Sequence, residues 1–182
     1  MRKVIYGGAT SLDQYLARED GAVDWLIHDA EAMEIMKDMW PRFDAMVMGR
    51  KTWTTSTQNF SEEDLEKARE MSAGMRTIVF SRTLETGERH GAEFVSGDAA
   101  AFVRDMKREK GKDIMVMGGG ELAQSLFEAG VIDEVGFNIH PVLLSGGIPA
   151  FHKVSRQIDL ELVECKAMKS GCVYVYYKVK KA

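Results

Sequence analysis

Short apolar runs alternate along the chain with stretches whose apolar residues recur every three or four positions. The first run, residues 3–8, predicts a strand that passes into a loop over 9–23. Ile27, Met33, Met36 and Trp40 then recur at helical spacing and Pro41 follows, which predicts a helix over 24–40. A buried strand at 44–48, "DAMVM", leads into "GRKTW". Residues 61–71 read as a charged helix, with Ser61 as N-cap and Asp64 as an acidic variant of the capping box. Strands are predicted at 76–80 and 92–95. Asp98 caps a helix running to 110, with Ala99, Phe102, Val103 and Met106 on one face and Gly111 beyond its end. A strand at 114–117 meets three glycines and a helix that reaches 129 and closes at Gly130. Residues 135–140 form another strand. Residues 160–168 and 173–179 alternate polar and apolar around Lys169-Ser170-Gly171, which predicts a hairpin. Strands alternating with helices predict an α/β fold with a mainly parallel central sheet flanked by helices. The last hairpin adds an antiparallel edge.

Composition narrows the picture. With 182 residues, 45% of them hydrophobic, a single domain over 1–182 is expected. The formal net charge is −4 and no block of like charge occurs, which argues against a general grip on nucleic acid but permits a local basic pocket. Cys165 and Cys172 match no zinc spacing and read as reduced residues, a disulfide requiring that they pair across the hairpin. No N-terminal signal pattern is present, and no run nears the roughly 18 apolar residues of a membrane span. A soluble cytoplasmic protein is expected. The four histidines, His28, His90, His140 and His152, do not cluster in sequence, so no metal site is expected. The 12 methionines read mostly as core filler.

Three strand ends carry candidate chemistry. In "IMVMGGGELA", Gly118, Gly119 and Gly120 stand between a strand and a helix N-terminus. Unpaired N–H groups and the helix dipole there favour an anion, and missing side chains let a phosphate approach the backbone. A tight turn with no ligand fits the same residues, and the spacing is not G-x-G-x-x-G. In "MVMGRKTW", Gly49 ends a strand and Arg50 and Lys51 follow, either as a solvated turn or as a second anion contact. In "TIVFSRTL", Ser81 and Arg82 end a strand with a hydroxyl and a guanidinium, a pair able to hold a phosphate monoester. Strand carboxyl ends share one rim in a parallel sheet, so the three together suggest a dinucleotide phosphate ligand.

"VMGRKTW", "TIVFSRTL" and "IMVMGGGELAQSLF", in this order, resemble the dihydrofolate reductase superfamily. "TSLDQYLA" and "HPVLLSGGIPAF" resemble, more narrowly, the C-terminal reductase domain of the bacterial bifunctional riboflavin-biosynthesis deaminase-reductase. The resemblance spans nearly the whole chain. It implies a dihydrofolate-reductase-like fold and an NADPH cofactor across the sheet rim, with Gly49, Arg50, Lys51 and Thr52 near the adenosine phosphates. Ser81 and Arg82 would take the 2′-phosphate. Gly118, Gly119 and Gly120 would cradle the pyrophosphate with Glu121 and Leu122, and a cis peptide is implied between Gly118 and Gly119. Ala9 and Leu16 would frame the nicotinamide. A homodimer is implied as well. The nearest named activity is reduction of 5-amino-6-(5-phosphoribosylamino)uracil in riboflavin biosynthesis. Dihydrofolate reduction, or NADPH binding without catalysis, is the alternative.

The proton-donor position departs from the dihydrofolate reductase pattern. Counting back from "MGR" without gaps reaches Met33, and Asp29 takes that place only if the intervening turn is four residues longer. Asp29 is therefore a candidate catalytic acid or a first-turn carboxylate stabilising the helix dipole. Asp13, in "SLD", is a candidate for positioning the substrate or a loop residue closing its own turn. Trp25 either walls the substrate pocket or packs the start of the helix. No nucleophile–base pair stands out, and hydride transfer needs none.

Overall fold

The computed structural model describes residues 1–58, 61–71 and 74–181. In chain order it contains β1 (Val4–Ser11), β2 (Tyr15–Ala17), α1 (Ala30–Met39), a 3-10 turn (Trp40–Arg42), β3 (Phe43–Gly49), α2 (Arg50–Thr57) and α3 (Glu62–Met71). There follow β4 (Arg76–Phe80), β5 (Gly87–Arg89), β6 (Ala92–Val95), α4 (Ala99–Arg108), β7 (Asp113–Met117), α5 (Gly120–Glu128), β8 (Glu134–His140), β9 (Ile148–Pro149), β10 (Leu160–Ala167) and β11 (Val173–Val179).

The main sheet runs β10-β11-β8-β1-β7-β3-β4-β6-β5. The six strands from β8 to β6 are mutually parallel. β11 runs antiparallel to β8 and to β10, and β5 antiparallel to β6. The expected mainly parallel α/β sheet with an antiparallel C-terminal hairpin is thus present. β2 and β9 form a separate antiparallel pair.

Both faces of the parallel region are covered, as such sheets require. Val4 and Tyr6 of β1, with Ile114 and Val116 of β7, join Val103 and Met106 of α4 and Leu126 and Phe127 of α5 in one core. The intervening Ile5 and Met115 point to the opposite face, where Phe43, Cys172, Tyr174 and Tyr176 lie under Ala32, Ile35 and Met39 of α1. This is the period-two alternation of a strand sampled from both sides.

Several sequence expectations need correction. The first strand extends three residues past the glycines, to Ser11. Gly7 sits opposite Gly136 of β8, and a Cβ on it would strike the Gly136 carbonyl. These glycines let two strands close up; they do not break one. The helix predicted over 24–40 begins only at Ala30, capped by Asp29, and its half-buried stripe is Ala32, Ile35 and Met39. Met33 and Met36, expected in the core, are 67% and 44% exposed. Counting the period from Ile27, which lies outside the helix, rotated the assignment. The strands β2, β5 and β9 hold three, three and two residues, too few to display a period. Register sets Cys165 opposite Val175, so the hairpin does not pair the two cysteines, and both are free. Among the described residues, no helix is long and apolar enough to cross a membrane.

Asp133, just before β8, anchors the sheet edge away from the glycine turns. It accepts the N–H of Val4 at 2.9 Å and the ammonium of buried Lys107 at 2.5 Å. Burial pushes its pKa up, but Lys107 and that N–H outweigh burial and hold it below the ordinary carboxylate range. Lys107 also donates to the Val131 carbonyl at 3.0 Å, which ties α4 to the chain leaving α5. Lys107→Ala leaves Asp133 buried without its main partner and is expected to cost about 3 kcal/mol in urea unfolding. Lys67→Ala, which removes an exposed i,i+4 pair with Glu63, should cost about 0.3–0.5 kcal/mol. Equal costs for the two substitutions would contradict this account.

Candidate active site at the carboxyl rim

The parallel register brings the strand ends Ser11, Gly49, Phe80, Met117 and His140 to one rim. β3 lies between β7 and β4, so the three turns singled out in the sequence are neighbours in space. Helix capping divides along the same line. Asp29 caps α1 through the N–H groups of Glu31 and Ala32, Asp98 caps α4, and Ser61 caps α3. α2 and α5, the helices leaving β3 and β7, start from Gly49 and Gly119 with no side-chain cap. Two helix N-termini with unclaimed N–H groups and aligned dipoles therefore open on the same rim.

The three glycines do different work. Gly118 has φ +78°, a left-handed conformation that favours glycine. A Cβ there would also strike the Thr52 hydroxyl. Thr52 in turn accepts the Gly119 N–H at 3.3 Å, which joins the first turns of α2 and α5. Gly119 and Gly49 face open space, so a ligand can reach their backbone. Gly120 is buried against His152, with the carbonyls of Pro149 and Ala150 3.0 Å from where a Cβ would stand, so it serves packing. The cis peptide implied at Gly118–Gly119 is not found; no peptide bond among the described residues is cis, and the chain turns through the positive φ of Gly118. The Tyr6 hydroxyl donates to the Ala150 carbonyl and lies 3.4 Å from the Gly118 carbonyl, bracing this turn from beneath.

Arg50 is half-buried and Lys51 exposed, both in the first turn of α2, and neither has a carboxylate partner among the described residues. Ser81 is buried. Its Oγ accepts the N–H of Thr83 at 3.2 Å and of Leu84 at 2.9 Å, so it shapes the turn that presents Arg82. The Arg82 side chain is 91% exposed and 3.8 Å from Glu121 of α5, linking the β4 and β7 turns across the rim. Leu122 of α5 and Leu16 of β2 are partly buried against the core. Ala9 is half-buried on β1, opposite Asn138 of β8.

The candidate carboxylates are committed to backbone. Asp13 accepts the N–H of Leu144 at 3.1 Å and of Ser145 at 2.8 Å, clamping the "LLSGG" turn onto the loop after β1. The Ser11 hydroxyl and those N–H groups hold its pKa low. Asp29 takes the Ser170 hydroxyl as well as its two cap bonds, and these hold it low in the same way.

Sequence reasoning missed one constellation. His140 at the end of β8 is 2% exposed, with Asn138 beside its Nε2, the Ile27 N–H and Cys172 beside its Nδ1, and Trp25 meeting it edge-on at 5.3 Å. The signal was present in "GFNIH", where Gly136, Asn138 and His140 alternate onto one face of a buried strand. A separate cavity of about 240 Å³, lined by Ala123, Phe127, Phe151 and Ile158 among others, lies behind α5, away from this face.

The first of two expected outcomes concerns the glycines. Gly119→Ala should keep the melting temperature within about 2 °C of wild type, whereas Gly118→Ala should lose about 5 °C or more. Equal losses would contradict the division of roles. The second concerns pH. A depressed Asp29 contributes stability above the ordinary carboxylate pKa, and this is lost as pH falls through its folded value. The melting gap between wild type and Asp29→Ala should therefore close as pH drops below about 4. A gap that persists at the lowest pH would show that Asp29 does not act through its charge.

Residues 2–174 match the RibD C-terminal domain family. The chain is 31% identical over 180 residues to the uncharacterized protein YyaP of Bacillus subtilis, covering 97% of this chain and 94% of that one. A putative riboflavin biosynthesis protein from Shewanella sp. PV-4 superposes with a TM-score of 0.78 at 24% identity, over 98% of this chain and 99% of the other. Dihydrofolate reductase from Enterococcus faecalis, complexed with NADP(H), superposes with a TM-score of 0.69 at 12% identity, over 98% and 97% of the two chains.

Proposed function

The chain belongs to the RibD C-terminal domain family, and from that membership and the rim geometry we propose that it is an NADPH-dependent reductase. Its substrate is a small heterocyclic or sugar-derived molecule of the riboflavin type, and NADPH, when bound, supplies the hydride. The observation that carries the reading is the pair of neighbouring, glycine-started helix N-termini at Gly49 and Gly119, both facing open space. Such a pair suits a pyrophosphate, whose oxygens would satisfy N–H groups that no side chain caps.

Arg50 and Lys51 add positive charge on one side of that position. Arg82, exposed and presented by the Ser81 turn, would take the 2′-phosphate that separates NADPH from NADH. Ala9 and Leu16 then lie toward the nicotinamide. The exposed apolar side chains of Ile27, Met33 and Met36, on the α1 side of the sheet, suit a flat heterocycle. Asp29 favours a riboflavin-type over a dihydrofolate substrate. A proton donor to a pterin needs a free carboxyl, and Asp29 is engaged by three donors and held ionised.

Titration with NADPH and NADH, followed by quenching of tryptophan fluorescence, tests the reading. NADPH should bind well ahead of NADH. Arg82→Ala should weaken NADPH about 10- to 100-fold, the worth of a hydrogen bond to a charged group, and leave NADH unchanged. Gly119→Ala should weaken both nucleotides. Absence of binding by either would overturn the proposal.

A further inference from the structure

Among the described residues, one ion pair joins two of the rim turns, Arg82 with Glu121. Arg82 follows β4, Glu121 stands in the first turn of α5 after β7, and β3 lies between those two strands. The pair therefore reaches past the end of β3, where α2 starts from Gly49 with no side-chain cap. Neighbouring strands stand about 4.8 Å apart, so the two residues span roughly 10 Å of rim and meet at 3.8 Å. The α5 dipole favours an anion at its N-terminus, and Arg82 adds a second attraction. Glu121 is thus the anion that the protein itself supplies to this side of the rim. The resemblance places it in a phosphate cradle, but a carboxylate in an ion pair offers only acceptor atoms, as a phosphate does. Its side chain has no hydrogen to donate to a phosphate. Where a phosphate enters beside Arg82, the two compete for one guanidinium.

We propose that Glu121 is a specificity-determining residue that works against the ligand. It occupies Arg82 in the empty site, and a nucleotide bearing a 2′-phosphate must displace it. A nucleotide with a free 2′-hydroxyl leaves the pair intact. Glu121 therefore narrows the preference for NADPH over NADH below what Arg82 alone would give. The inference rests on the reductase reading for the assignment of Arg82 to the 2′-phosphate. The two side chains are 91% and 65% exposed, so Glu121→Gln strands no buried charge and leaves the fold standing.

Calorimetric titration of the wild type, Glu121→Gln, Arg82→Ala and the double variant tests this. Two matched pairs of probes differ by the 2′-phosphate: NADPH with NADH, and adenosine 2′,5′-bisphosphate with adenosine 5′-monophosphate. Glu121→Gln should tighten the 2′-phosphorylated member of each pair by about 2- to 5-fold relative to its partner, the strength of an exposed ion pair expressed as affinity. The relative gain should shrink as salt is added and vanish in the Arg82→Ala background. Equal gains within each pair would show plain repulsion of the other phosphates and overturn the inference. So would a gain that survives without Arg82, or a loss of affinity in Glu121→Gln, which would make Glu121 a contact of the ligand. The adenosine pair separates this from the reductase reading. A relative gain for the bisphosphate, with neither NADPH nor NADH bound, sinks the reductase reading and leaves the role of Glu121 standing. NADPH binding with no relative gain in either pair does the reverse, and failure of all four probes to bind overturns both.

Discussion

Parallel pairing of β1 with both β7 and β8 is the constraint from which the rest of the molecule follows. Parallel strands need long crossovers, and each crossover here returns the chain so that the next strand ends on the same side. The carboxyl ends of the central strands therefore collect every loop with unusual chemistry, while the opposite edge collects anchors such as Lys107–Asp133. The pairing itself depends on an absence of side chains. A Cβ on Gly7 would strike the Gly136 carbonyl, and one on Gly136 would stand 2.6 Å from the Tyr176 ring.

Electrostatics divides the helices into two kinds. α1, α3 and α4 are closed by their own side chains, through Asp29, Ser61 and Asp98. Those that leave the ends of β3 and β7 are opened by glycine. An uncapped terminus has its N–H groups and half a positive charge unspent, and placing two side by side concentrates both. Thr52 holds the pair in register without filling it, since its hydroxyl takes only one N–H.

Much of this was legible in the sequence because the signals were local. The bounds of β4 and β6 follow from apolar runs between turn residues, and the caps Ser61 and Asp98 from residue type before a helical period. The rim turns were legible because glycine and cation directly follow a buried run. What stayed hidden depends on distance in sequence. Met33 and Met36 fit a helical stripe as well as Ala32 and Ile35 do, and only packing against β11 and β3 selects between them. Asp13 reads as positioning the substrate or as closing its own turn, yet its bonds go to a loop more than a hundred residues away. Asn138 and His140 alternate visibly, but nothing local reveals that Trp25 and the Ile27 N–H arrive beside them.

The open helix termini have a thermodynamic consequence for the whole chain. Groups left unsatisfied in the empty protein are absent as an organised set in the unfolded one, so an anionic ligand that satisfies them binds the folded state alone. Folding and loading are then one linked equilibrium, worth about 2.7 kcal/mol at a hundredfold excess over the dissociation constant. The amount of folded protein in a cell would track the supply of any such anion, and a variant too weak to persist alone could survive when loaded.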